Sequence, residues 1–136
     1  MAETMKLEIV TPDGKAYSED VEMVTLTGVQ GEMGILPQHI RLMTKLVPGE
    51  LVARKDGRDV FVALGGGLVE VTGKRVSILT DMAVAADKID EAKAEEARLR
   101  AEARLREKLS AEEVAATNAS LARSLAQLKV RRRHKG

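Results

Sequence analysis

No cysteine occurs among the 136 residues. Disulfide frameworks, thiol nucleophiles and Cys-based zinc sites are thereby excluded. Aromatic side chains are reduced to Tyr17 and Phe61, with no tryptophan. That removes the stacking platforms on which nucleic acid bases are held, and it argues against lectin-like or aromatic-cage sites. Neither sign of charge dominates, with 22 Lys and Arg against 21 Asp and Glu, so no broad field selects an acidic or a basic partner. The only histidines are His39 and His134; their spacing forms no metal motif, and no metal site is expected. No apolar run reaches the length of a membrane-spanning helix. Met1 to Val10 lacks the apolar segment of a signal peptide. The chain reads as soluble and intracellular, able to sit at a membrane by docking to something embedded there.

Reacting groups are equally scarce. Ser18, Ser77, Ser110, Ser120 and Ser124 lie in no nucleophile-elbow motif. No Walker P-loop occurs, and Asp and Glu fall where turns and helix surfaces explain them. No catalytic residue is assigned, and an independent enzyme is not expected.

What the chain does have is two halves with different grammar. Before Asp81 to Asp87 lie all three prolines and every glycine except Gly136. Beyond that point alanine, glutamate, arginine and leucine take over. Glycine and proline punctuate turns, while the second set favours helix. The expected fold is an all-β sandwich domain over 1–86 followed by a C-terminal α-helical hairpin over 87–136, ending in a basic tail. Strands are expected at Met5 to Val10, Val21 to Thr27, Met43 to Val47, Leu51 to Arg54, Asp59 to Leu64, Leu68 to Val71 and Val76 to Leu79. Turns are expected at Pro12-Asp13-Gly14, Pro48-Gly49, Asp56-Gly57 and Gly73. Many short strands with glycine turns and no βαβ alternation indicate a sandwich or flattened barrel. Gly65-Gly66-Gly67 therefore reads as a bulge or a close approach of strands, and not as a phosphate loop. Gly31 to His39 reads as an apolar loop.

In the helical half, Asp87 and Asp90 are candidate caps for a first helix ending near Lys108. Ser110 with Glu113 three residues on is a capping box for a second, with Leu109 and Val114 as the staple. Ala92, Ala94, Ala97, Ala101 and Ala103 permit close helix approach, and Ile89, Leu99 and Leu105 add larger contacts. Leu121, Leu125 and Leu128 make a packing stripe. Glu96–Arg100 and Glu102–Arg106 have the spacing of surface ion pairs. Lys129, Arg131, Arg132, Arg133 and Lys135 form the basic tail, and His134 within it reads as solvated.

With these elements in order, the chain resembles the epsilon subunits of F-type ATP synthases over nearly its whole length. Gly31-Glu32-Met33-Gly34-Ile35-Leu36-Pro37-Gln38-His39 is similar to the family's GELG-I-x-P-x-H segment. Pro48-Gly49 fits its next turn, and Leu64-Gly65-Gly66-Gly67-Leu68-Val69-Glu70-Val71 resembles its paired-glycine strand. Ile89-Asp90-Glu91-Ala92 falls at the entrance to the first helix.

The resemblance implies a non-catalytic central-stalk subunit that couples proton-driven rotation to ATP synthesis and restrains ATP hydrolysis. It implies the gamma subunit, the c-ring and the alpha/beta assembly as partners, and no nucleic acid. It implies a peripheral place on the cytoplasmic face of the bacterial inner membrane, or the organellar equivalent. It marks Glu32, Met33, Ile35 and His39 as partner contacts; for Met33 and Ile35, capping of the domain's own core is the competing role. Some bacterial relatives also bind ATP through a motif beginning [I/L]-D-x-x-R-A. Here Asp90 is retained, Lys93 replaces the arginine, Arg123 matches one later basic position, and Gln127 stands at the other. Asp90, Lys93 and Arg123 are thus the possible ATP contacts. Lysine lacks the planar fork of arginine, so no cofactor is required and any ATP binding is weak. Two other functions fit the residues: a β-domain adaptor with a helical oligomerisation arm, and a small ATP-sensing protein.

Overall fold

The structure, a computed structural model, describes residues 3–134. Ten strands come first: β1 Met5–Thr11, β2 Gly14–Val21, β3 Met23–Gly28, β4 Gly31–Ile35, β5 Leu42–Leu46, β6 Gly49–Lys55, β7 Arg58–Leu64, β8 Gly67–Thr72, β9 Arg75–Thr80 and β10 Ala83–Ala85. A 3-10 turn over Ala86–Lys88 leads to α1 Glu91–Arg104 and α2 Ala111–Arg133. This is the expected β sandwich followed by a helical hairpin.

The strands run in the order β10-β7-β6-β3-β5-β8-β9-β1-β2, with β4 paired to β3. Neighbours are antiparallel except β1 and β9, which are parallel. The path folds back on itself. Lys55 on β6 reaches Glu19 on β2 at 2.7 Å, and the Gly57 N–H donates to Glu22 Oε1 at 3.1 Å. One apolar core fills the interior, drawing Leu7 and Ile9 from β1, Leu26 from β3, Leu51 from β6, Val69 from β8 and Ile78 from β9. Period-2 alternation puts these side chains inside, as in β1, where Met5, Leu7 and Ile9 are buried and their neighbours are not.

Three segments depart from the sequence expectation, the first being the short strand Ala83–Ala85 paired with β7. Gly14–Val21 is a strand although only Val21 is buried along it; its pairing with β1 supplies what its polar side chains do not. Gly31–Ile35 is a strand and not a loop. A two-residue turn at Val29-Gln30 closes on the Gly28–Gly31 pair, and Gly31 has φ +118, a backbone state that favours glycine. The three-glycine segment behaves as expected of a close approach. A Cβ on Gly67 would lie 1.9 Å from the Leu79 carbonyl oxygen.

Asp90 caps α1, its side chain accepting the Lys93 N–H at 3.1 Å. Helix α1 stops at Arg104, short of the expected Lys108. The Arg106 N–H turns to Ala103 O and Glu107 N–H to Arg104 O, i+3 bonds that tighten the end so the chain can reverse. The capping box of Ser110 and Glu113 is present in both directions. The expected Glu96–Arg100 and Glu102–Arg106 pairs do not form; Glu102 is taken by Arg98, which also pairs with Glu95. The leucine stripe is also corrected. Leu128 is buried but Leu125 and, on α1, Leu99 are exposed; Thr117, Ser124, Ala126 and Val130 are the other buried positions of α2. Small residues are buried there because Ala94 and Ala101 of α1 present a shallow surface to α2.

Helix α2 packs on β6 and β7. Val130 closes a second apolar cluster with Ala63, Ala86 and Ile89, bordered by Phe61, Met82 and Val84.

Candidate partner-binding surface

The segment singled out in the sequence is divided by its strand geometry. Glu32 sits opposite Thr27, Met33 opposite Leu26 and Ile35 opposite Val24. Glu32 is exposed, Met33 is half-buried against the core, and Ile35 has no exposed surface. Ile35 therefore serves the domain's own packing. His39 lies beyond β4, half-buried, with Nδ1 2.7 Å from Ile40 O. The loop holding it is pinned by the Gln38 N–H, which donates to Gly73 O at 2.9 Å, and leaves Leu36 and Ile40 on the surface. Glu32 also lines a polar cavity of about 250 Å3 with Glu50, Lys129 and Arg133.

A larger feature escaped the sequence reading. Register places Lys45, Leu68 and Leu79 side by side across β5, β8 and β9, with Val10 of β1 next to Leu79. Met43, two residues before Lys45, shares that outward face. Met43 is 64% exposed, Leu79 57% and Leu68 43%. The inward neighbours Val69, Val71, Val76 and Ile78 already fill the core, so these outer side chains have no packing duty inside the domain. Leu79 and Val10 also border a cleft of about 440 Å3 with Pro12 and Asp81. The signal was present in the sequence: Leu68 is two residues from Glu70, and Leu79 two from Ser77, so each shares the polar face of its strand.

Two of the possible ATP contacts are engaged in other interactions. Asp90 is occupied as the helix cap, Lys93 is exposed, and Arg123 pairs with Asp81 at 3.2 Å. The cleft between the helices, about 660 Å3, is lined by residues such as Arg100, Arg104 and Thr117, and by none of these three. Gln127 Nε2 lies 3.0 Å from the Met82 sulfur.

The C-terminal turn is not a free basic tail. Arg132 reaches Glu91 and Glu95 of α1. Arg133 and His134 both reach Glu50 on β6, and the His134 ring stacks on Phe61. His134, read as solvated, is thus a contact residue, because α2 runs far enough to lay its end on the sheet. Lys135 lies outside the described residues. The Glu95 carboxyl is held below the usual carboxylate range, first by Arg98 and then by Arg132.

Comparison with known proteins gives this arrangement a context. Residues 4–86 match the family described as ATP synthase, Delta/Epsilon chain, beta-sandwich domain. Residues 87–131 match the one described as ATP synthase, Delta/Epsilon chain, long alpha-helix domain. The ATP synthase epsilon chain of Herpetosiphon aurantiacus is 45% identical over 126 residues, covering 93% of each chain. That of Syntrophobacter fumaroxidans is 45% identical over 130 residues, covering 96% of this chain and 97% of the relative. Among solved structures, a chain of the Euglena gracilis mitochondrial ATP synthase OSCP/F1/c-ring assembly superposes with a TM-score of 0.72 at 25% identity, covering 96% of this chain and 82% of that one. A chain of the Tetrahymena thermophila mitochondrial central stalk and c-ring shares the fold, with a TM-score of 0.66 at 14% identity. Both domain matches, and relatives that align over at least 93% of each chain, show that the chain belongs to the ATP synthase epsilon chain family.

Proposed function

We propose that this chain is a non-catalytic, regulatory subunit of the central stalk of an F-type ATP synthase, seated through its β domain and restraining ATP hydrolysis through its helical hairpin. Residues 1–86 bind the gamma subunit and the c-ring, and residues 87–136 act on the alpha/beta assembly. The complex is peripheral to the membrane, on the cytoplasmic side of the bacterial inner membrane.

One observation carries the reading: the outward apolar row of Leu68, Leu79 and Met43 on a sheet whose core is already full. Exposed apolar side chains gathered on one face mark a protein contact. Each large aliphatic side chain fully covered there contributes ~1.5–3 kcal/mol. Glu32, Met33 and His39 extend the contact along β4 and its following loop toward the c-ring. The charged neighbours Lys45 and Glu70, on the same face as Leu68, supply the polar rim.

Leu79→Asp and Leu68→Asp test this directly, because neither side chain supports the fold. Each should keep the circular dichroism spectrum of the parent and weaken binding to gamma at least about tenfold, since it places an unpaired charge in a dry contact. A folded variant with unchanged affinity for both gamma and the c-ring contradicts the proposal.

A further inference from the structure

The last described turn of α2 sends three consecutive side chains to two places, Arg132 to α1 and Arg133 and His134 to the sheet. Arg132 Nε lies 2.9 Å from Glu91 Oε1, on the first turn of α1. Arg133 Nη1 lies 3.3 Å from Glu50 Oε1 and His134 Nε2 2.6 Å from Glu50 Oε2, both on β6. The His134 ring lies flat on Phe61 of β7, with centroids 3.5 Å apart and planes 10° from parallel. The site is shielded: the Glu50 side chain is 12% exposed and that of His134 19%.

Elsewhere the seat of α2 on the sheet is thin. Among the described residues, Val130 is the one α2 member of the buried cluster with Ala63, Ala86 and Ile89. Arg123–Asp81 is a half-exposed pair and so contributes little.

We propose that this turn is a clasp on which docking of the hairpin depends, with Glu50 as its common acceptor. The inference rests on the reading of the hairpin as a movable arm, and it assigns the residues that hold the arm down. Two N–H donors on one shielded carboxylate make a stronger contact than an exposed ion pair. Release of the turn therefore costs more than its small apolar area implies. Stacking of His134 on Phe61 fixes the ring so that Nε2 points at Glu50. In the docked position His134 and one nitrogen of Arg133 are taken up on Glu50, and undocking frees both.

Hydrogen exchange on the full chain, read by mass spectrometry, tests the clasp. E50Q should speed exchange in the C-terminal half of α2 by about tenfold while leaving β1, β8 and β9 unchanged. The paired variant R133A/H134A, which leaves the sheet untouched, should do the same. The triple variant should be no faster than either, because all three groups belong to one contact. Unchanged exchange in α2 for R133A/H134A overturns the proposal. So does a triple variant whose acceleration is the product of the other two. Equal acceleration in the sheet for E50Q also overturns it, since Glu50 would then belong to the sheet's own stability. Failure of the hairpin to restrain hydrolysis leaves these exchange rates as predicted, so the two readings fail separately.

Discussion

Replacing Gly67 by alanine should be the most damaging single-methyl change in the β domain. Gly67 begins β8 and pairs on one side with Leu46 and on the other with Thr80. The added Cβ would stand 1.9 Å from Leu79 O and 2.9 Å from both Leu79 C and Thr80 Cα. All three are backbone atoms, so no rotamer change relieves the clash. Ordinary contact begins near 3.4 Å, and the carbonyl would have to retreat by about 1.5 Å against a strand whose other face holds Ile78 in the core. Overpacking of this kind costs typically 1–3 kcal/mol, and a backbone clash across a paired strand belongs at the upper end, about 3 kcal/mol. Gly66→Ala is the matched control. Its nearest heavy atom is Leu46 O at 3.9 Å, so it should be close to neutral or gain ~0.5 kcal/mol through the unfolded chain. Urea unfolding followed by circular dichroism reads both. With a slope of ~1–3 kcal/mol per molar, the Gly67→Ala midpoint should fall by about 1–3 M without a change of slope. Equal midpoints for the two variants would refute the close-approach argument.

Three further outcomes follow from the helical half. Ser110→Ala removes the cap that accepts the Glu113 N–H and should cost α2 ~1 kcal/mol, read as faster hydrogen exchange in its first two turns. The Glu113 carboxyl is held below the usual carboxylate value, first by the Ser110 backbone N–H and then by the Ser110 hydroxyl. A depressed acid supports the fold above its unfolded pKa and loses that support as pH falls through the folded one. The start of α2 should therefore loosen below about pH 4.3, and a side-chain NMR titration should show Glu113 protonating at lower pH than an unpaired glutamate. ATP should bind the isolated chain weakly or not at all, because Asp90 caps a helix, Arg123 is paired with Asp81 and no second arginine stands at Gln127; submicromolar affinity by titration calorimetry would contradict this.

Much of the architecture was legible because turn chemistry is local. Confinement of proline and glycine before Asp81 separated strands from helices, and Ser110-x-x-Glu113 located the start of α2 to the residue. What escaped depends on partners distant in sequence. Gly14–Val21 has no apolar alternation because it borders a single neighbouring strand, β1, and only that pairing makes it a strand. Gly31–Ile35 carries two glycines and reads as a loop until β3 supplies its hydrogen bonds. Leu125 and Leu99 follow a good helical pattern but face water, because the sheet meets α2 on the side of Val130 and the helices meet each other over alanine. The family motif pointed to Glu32 and Ile35 without separating their faces; strand register does so, and it also reveals Leu68 and Leu79. His134 gave no signal, since a basic end looks the same whether it frays or closes on Glu50.

The central claim is that the helices restrain a motor to which the β domain is attached. ATP hydrolysis by the assembled synthase is the measurement that tests it most directly, comparing the full chain with one truncated after Ala86 at matched subunit content. The truncated complex should keep gamma and the c-ring, retain most of its ATP synthesis, and hydrolyse ATP faster. Equal hydrolysis rates with and without the helices, across nucleotide conditions and with and without a proton-motive force, would contradict the account.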